Sequence, residues 1–253
     1  MILWIDHVAV SSKDLEQSAR MMELLGYETV FVEKEIENLK IKKGLLHTYL
    51  NLHDLALFKS LGNMSIEVTA HGTVNSDVSN LLPIFENVPG HVAEVGEKNI
   101  VVNYQTLNSA MLKHFEAPIL TCSNAYGHFK FDKIVVNVQD VAQSTRFWNV
   151  FGFETKIVTN RLAFLEFQSP VDRKTYRLIL RKSKAEQVTH MLDDTGFTCI
   201  AFMSASAHKE KAFVDRKGFA TTNIETLSVN GKQFNIFFTR GKSGELVEII
   251  GYY

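Results

Sequence analysis

IDHVAVSSKDLEQSARMMELLGYET, residues Ile5 to Thr29, returns without a gap as FDKIVVNVQDVAQSTRFWNVFGFET at Phe131 to Thr155, 126 residues further on. Nine of the 25 aligned positions are identical: Asp6, Val10, Asp14, Gln17, Ser18, Arg20, Gly26, Glu28 and Thr29 match their partners. Most of the others exchange one apolar residue for another. A repeat of this length marks the chain as a duplication of one folding unit. Positions where the copies agree report architecture; a reactive residue present in only one copy points to function. The sharpest such difference is His7 against Lys133.

Each copy opens with a strand in which alternation places Ile5, His7 and Ala9 on one face and Asp6, Val8 and Val10 on the other. A helix follows, with Asp14 and Asp140 as N-caps and Gln17 and Gln143 as capping-box partners three residues on. Leu15, Ser18, Met22 and Leu25 recur at helical spacing as Val141, Ser144, Trp148 and Phe151. Gly26 and Gly152 fall where a glycine ends a helix. A second strand then begins at YETVFV and FETKIV, so the repeated unit is β-α-β.

Further strands are expected at His47–Leu52, Leu55–Lys59, Ser65–His71, His91–Val95, Ile100–Leu107 and Met111–Phe115, with a helix near Asp77–Asn87. The second half reads as strands at Arg161–Gln168, Tyr176–Arg181, Phe197–Met203, Thr221–Ser228, Gln233–Thr239 and Leu246–Gly251, with a helix near Lys209–Lys217. Each half thus holds two β-α-β-β-β modules, divided at about residues 62 and 193. Pro118–Lys130, with its turn-rich TCSNAYG, is the expected linker between domains 1–120 and 131–253.

The chain has 253 residues, 45% of them hydrophobic, and a net charge of −1, with no basic stripe or acidic tail. It can bury substantial cores, and nucleic acid is excluded as the main partner. The longest apolar runs are strand-length, which excludes a membrane span. MILWIDHVAV lacks a positive region and is interrupted by Asp6 and His7, so a signal peptide is not expected. Two distant cysteines, Cys122 and Cys199, fit a reducing, cytoplasmic setting. Eighteen Phe indicate thick apolar cores or an aromatic-lined cavity.

The strand–helix opening, GFTCIAF at Gly196–Phe202 and SGELVEIIG at Ser243–Gly251 together resemble the vicinal oxygen chelate superfamily, which includes glyoxalases, bleomycin and fosfomycin resistance proteins and extradiol dioxygenases. The resemblance implies an α+β fold of paired βαβββ modules, each pair curling into a sheet cradle around a divalent metal, duplicated into two domains. It places His7 at the first-strand histidine position, Glu248 at the last-strand glutamate position and Cys199 where a histidine is usual. Lys133 takes the first-strand position in the second copy and, while charged, cannot be an ordinary ligand. Positions near Ser65 and Lys113 are also unsuitable. No single half holds a full triad. In some two-domain ring-cleaving dioxygenases of the family the first module pairs with the fourth, which would bring His7, Cys199 and Glu248 together.

The expectation is therefore a metal-dependent enzyme using one divalent ion (Fe, Zn or Mn) at His7, Glu248 and Cys199. The ion would act as a Lewis acid on adjacent oxygens of a small, aromatic or oxygen-chelating substrate, in dioxygenase or lyase/isomerase chemistry. The rival class is a metal-free small-molecule binding or resistance protein using the same cradle, and a third reading is an interaction domain with filled cradles. A second copy, as a homodimer, is an allowed partner. Each residue also has a plainer reading: a structural His7, a Glu248 paired with a neighbouring cation, a Cys199 that packs as a small apolar group. Glu67 and His71, four apart on a strand, could join His7 in a site within the first half. His47, His53 and His91 read as solvated or capping residues, and Lys133 as a salt-bridge partner. Phe147 and Trp148 could line an aromatic pocket or the core. RGKSGE at Arg240–Glu245 precedes a strand, so it is a hairpin turn and not a phosphate cradle.

Overall fold

The computed structural model describes residues 1–72, 75–78, 80–89, 120–122, 127–183 and 189–252. The first module runs β1 (Ile2–Ser11), α1 (Leu15–Leu24), β2 (Glu28–Glu37), β3 (Leu52–Lys59) and β4 (Ile66–Ala70). A short 3-10 turn, Lys40–Gly44, lies between β2 and β3. Next come β5 (Asn75–Val78), β6 (Leu81–Pro89) and β7 (Leu120–Cys122). The second copy gives β8 (Gly127–Val138), α2 (Val141–Val150), β9 (Glu154–Val158), β10 (Leu162–Gln168) and β11 (Thr175–Lys182). The last module is β12 (Asp194–Ser204), α3 (Ala207–Arg216), β13 (Glu225–Val229), β14 (Lys232–Arg240) and β15 (Leu246–Tyr252).

Three of these units share one topology. In each, the first strand pairs in parallel with the fourth, as β1 with β4, β8 with β11 and β12 with β15, and the remaining pairs are antiparallel. This is the βαβββ module expected from the repeat. First strands then join modules across the halves: β1 pairs antiparallel with β12, and β6 with β8. Both pairings cross the division between residues 1–120 and 131–253. Among the described residues the result is one 15-stranded sheet. No helix among them is long and apolar enough to cross a membrane.

The repeated caps form for the expected reason. Asp14 and Asp140 have extended backbones and accept from the N–H groups of Gln17 (2.9 Å) and Gln143 (3.0 Å). The reciprocal half of the first capping box does not form, because the Asp14 N–H donates to Ser12 Oγ at 3.1 Å instead. Gly26 and Gly152 adopt φ of 76° and 88°, the left-handed conformation that glycine enters without Cβ strain.

Several sequence expectations need correction. A register shift between Ile5 and His7 turns Ile5 onto the helix-covered face with Val8 and Val10, while His7 and Ala9 keep the opposite face. Of the strand expected at His47–Leu52, residues 47–51 are loop and the strand begins at Leu52. The helix expected near Asp77–Asn87 is strand, β5 and β6. Pro83, inside that short apolar run, disfavours a helix interior. Pro118–Lys130 is not simply a linker, since it contains β7 and the start of β8. In the last module the strand expected at Thr221 starts at Glu225. His91–Val95, Ile100–Leu107, Met111–Phe115 and Lys113 lie outside the described residues. RGKSGE forms the turn between β14 and β15 as expected.

The helix-side core draws residues from both halves. Phe147 and Trp148 belong to it, 1% and 0% exposed, and do not line a pocket. Phe202 of β12 stacks on Phe151 of the second copy, ring centroids 5.4 Å apart, and meets Phe153 and Phe167 edge-on. Truncating it empties a fully buried aromatic site. Phe202→Ala should therefore cost about 3–5 kcal/mol, whereas Asp140→Ala, which removes one cap bond, should cost about 1 kcal/mol. Urea denaturation measures both. Because the core is shared, one cooperative transition is expected in each case, and separate transitions for the two halves would contradict it.

Candidate metal centre

The sequence places small residues where the sheet needs room. Ala9 lies opposite Glu67 on β4 and Cys199 on β12; Ala201 lies opposite His7 on β1 and Glu248 on β15. Residues directly opposite on neighbouring strands share a face, so all six project into the same cradle. The register also has internal symmetry. His7 stands two residues before the alanine that faces Glu67, and Cys199 two residues before the alanine that faces Glu248. Cys199 is thus the counterpart of His7, and Glu67 the counterpart of Glu248.

His7 and Glu248 flank Ala201, about 10 Å apart at two strand spacings, yet their side chains converge over its methyl group. His7 Nε2 is 3.7 Å from a Glu248 oxygen and 3.5 Å from a Glu67 oxygen. Both contacts are too long for good hydrogen bonds, and Nε2 is buried with no hydrogen-bond partner. The other ring nitrogen is fixed: Nδ1 lies 3.0 Å from Asp6 Oδ2, and Trp4 Nε1 donates to Asp6 Oδ1 at 3.1 Å. Burial alone would depress the His7 pKa. The Glu67 charge, the Asp6 contact and Glu248 outweigh it and hold the pKa well above the usual value. Burial likewise opposes ionisation of Asp6, but His7, Trp4 and Lys59 pull its pKa below normal. The carboxylates around the ring thus favour its protonated form. One imidazole nitrogen, two carboxylates and a thiol are a donor set that fits a divalent ion of the zinc, iron or manganese type. Cys199 is fully buried, and burial together with Glu248 pushes its thiol pKa well up.

The roof of the cradle is the Lys40–Gly44 turn. Lys42 projects inward, 7% exposed, with its ammonium 5.9 Å from the centre of the Phe238 ring. Lys42, Glu67, His71, Cys199 and Glu248 line an internal space of about 10 Å³, roughly enough for one water. His53 stacks on His71 with ring centroids 5.7 Å apart.

Some expected residues fall elsewhere. Glu67 and His71 do share the cradle with His7, but that cradle is completed by the last module and is not confined to the first half. Lys133 pairs with Asp132 at 3.7 Å, the salt bridge expected of it. Its neighbours in register, Val135 and Ile179, replace Ala9 and Glu67, so the second cradle lacks the corresponding donors among the described residues. Among the described residues the group of three donors whose ligand atoms all lie within 4.8 Å of one another is His47, Asp193 and Asp194; the cradle set is more widely spaced. Its carboxylates are already engaged: Asp193 accepts from the His47 and Thr48 N–H groups, and Asp194 accepts from Met191 N–H and contacts the His47 ring at 2.8 Å. This group fastens the roof loop to the start of β12. Lys42 and Asp6 were not singled out in the sequence. Nothing in KIKKG distinguishes Lys42 from its neighbours, whereas Asp6 adjoins His7 and is repeated as Asp132.

The buried imidazoles set a pH dependence. Burial and the Lys42 charge pull the His53 pKa down to about 3, and the same causes bring His71 well below its usual value. For a depressed histidine the unfolded chain binds more protons, so stability falls as pH drops below about 6.5 toward the folded value. Each ring contributes up to about 1.4 kcal/mol per pH unit in that window. Urea titrations at pH 7, 6 and 5 should show this loss, with a shallower slope in His53→Phe; an unchanged slope would contradict it.

No family model matches the sequence, and no curated protein matches it. Among solved structures, a proposed dioxygenase from Bacillus subtilis subsp. subtilis str. 168 superposes with TM-score 0.60 and 12% identity, over 99% of this chain and 86% of that one. Glyoxalase I from Zea mays gives TM-score 0.55 and 12% identity over 98% of this chain and 92% of its own. A single-residue variant of the maize enzyme gives 0.58 and 14%, with the same coverage. The module order, the parallel first-to-fourth strand pairing and these near-complete superpositions establish that the chain has the fold of the vicinal oxygen chelate superfamily.

Proposed function

We propose that this chain is a metal-dependent enzyme of the vicinal oxygen chelate type, acting on a small oxygen-chelating substrate at a single site built from both halves. The observation that carries the reading is His7: one ring nitrogen is fixed by Asp6 and the other is buried, unbonded and faced by two carboxylates. His7 and Glu248 would hold a divalent ion, with Glu67 as a third donor and Cys199 at the fourth position. When bound, the ion supplies Lewis-acid polarisation of adjacent substrate oxygens. Similarity to glyoxalase I and to a proposed dioxygenase supports both lyase/isomerase and dioxygenase chemistry.

The residues divide the remaining work by position. Asp6 keeps the His7 proton on Nδ1 and so presents the Nε2 lone pair to the cradle, the outer-shell role common to ligating histidines. Glu67 or Glu248 would serve as the general base if the reaction is an isomerase or lyase step that removes a proton from carbon. Ala9 leaves room at the floor, and Leu192 and Phe238 supply apolar walls to the cavity.

The rival reading is a metal-free binding protein. It is favoured by Lys42, whose ammonium shares the cavity with both carboxylates and offsets their charge without an ion. Metal content separates the two. The enzyme reading expects about one equivalent of divalent metal in the purified protein, lost in His7→Ala and in Glu248→Ala. Asp6→Asn should weaken metal affinity about 10–100-fold. Retention of metal by Cys199→Ser would reduce the thiol to a packing role. Wild-type protein that takes up no metal would sink the reading.

A further inference from the structure

Lys42, His53 and His71 form a second group in the same cradle, and its chemistry differs from that of the metal donors. Lysine is rarely buried unless paired. Among the described residues none forms a hydrogen bond or ion pair with the Lys42 ammonium, which lies over the Phe238 ring and shares its cavity with Glu67 and Glu248. Both ring nitrogens of His53 and Nδ1 of His71 are also buried without hydrogen-bond partners, in rings only 3% exposed. Polar atoms sealed from water without partners cost about 1–3 kcal/mol each. The three unbonded ring nitrogens beside the Lys42 ammonium are therefore costly unless something enters to satisfy them.

Charge decides what that something is. With the Cys199 thiol neutral, Glu67 and Glu248 carry two negative charges, which a divalent ion cancels. The ammonium of Lys42 is then the uncompensated charge lining the space, and the species it favours is an anion. We infer that Lys42, backed by His71 and His53, is an anion subsite, so that the substrate of this cradle carries a carboxylate or similar group apart from its chelating oxygens. This inference rests on the metal-dependent reading above. A carboxylate there would accept from the Lys42 ammonium and from an imidazole N–H, satisfying donors that are otherwise idle.

The position of Lys42 also fits a residue that closes on its ligand. A space of about 10 Å³ admits no organic substrate, and entry beside Lys42 would require the Lys40–Gly44 turn to lift. Within the turn itself, Ile41 N–H donates to Glu225 at 3.2 Å; just beyond it the Leu45 carbonyl accepts from Leu192 N–H at 2.7 Å, and His47 and Thr48 are held by Asp193 and Asp194. Beside it lies an open groove of about 460 Å³ between residues Ile36 to Lys40 and Glu225 to Ser228. Lifting the turn would join groove and cavity, and its return would bring Lys42 onto the anionic group.

Two probes separate this subsite from the metal. Catechol offers adjacent oxygens alone, and 3,4-dihydroxybenzoate adds a distant carboxylate. Cobalt-loaded protein is titrated with each, following the visible cobalt absorption. The wild type should bind 3,4-dihydroxybenzoate about tenfold tighter than catechol, as a charge-assisted contact requires. Lys42→Met should lose that preference while keeping its cobalt and its catechol affinity, and Lys42→Arg should retain it. Equal affinity for the two probes in the wild type, or a preference surviving in Lys42→Met, would overturn the anion subsite and leave the metal reading intact. Failure of the wild type to load cobalt would overturn the metal reading and this inference together.

Discussion

Antiparallel pairing of β1 with β12 is the constraint from which the site follows. It sets His7 against Ala201 and Ala9 against Cys199, and so brings residues from the two ends of the chain onto one face. Parallel pairing then adds Glu67 beside Ala9 and Glu248 beside Ala201. A slip of one residue in any of these ladders would turn a donor onto the helix-covered face. The register shift between Ile5 and His7 has the same logic in reverse: Ile5 goes to the core, and His7 stays in the cradle. Helix-side packing, with Val8, Val10 and Phe202 fully buried, holds the register that the cradle face by itself would not favour.

That cradle face is electrostatically unfinished as a protein core. Glu67, Glu248 and Lys42 are charged groups among apolar neighbours such as Ile236, Phe238 and Ile250. Groups of this kind are retained against their desolvation cost where they bind something. The second cradle makes the contrast within one chain. There Lys133, Val135 and Ile179 replace His7, Ala9 and Glu67, and Lys133 is paired with Asp132. Among the described residues, His7, His53 and His71 carry unbonded buried ring nitrogens on the side shared by the first and last modules.

Much of this was legible in the residues. The 25-residue repeat carried the caps at Asp14 and Asp140, the helix-ending glycines and the strand that holds His7, because those depend on local chemistry. The place of Cys199 and Glu248 followed from short segments resembling a known family. Less was legible where a signal depends on partners far along the chain. The face of Ile5 is set by a bulge against β12, which alternation cannot reveal. The short run from Leu81 was misassigned because helix and strand are hard to separate over so few apolar residues. Glu67 was noticed but assigned to a site within the first half, since only the strand register shows it to be the counterpart of Glu248. Lys42 lies in a run of three lysines within five residues, Lys40 to Gly44, and only the fold turns that one inward.

A crystal soaked in manganese offers the most direct measurement, because the anomalous signal locates the ion independently of activity. The account predicts a single strong peak in the cradle, bounded by His7 Nε2, Glu67 and Glu248, and lost in crystals of His7→Ala. A peak at His47, Asp193 and Asp194 with none beside His7 would contradict it, because the ion would then fasten the roof loop and the cradle would not be a metal centre.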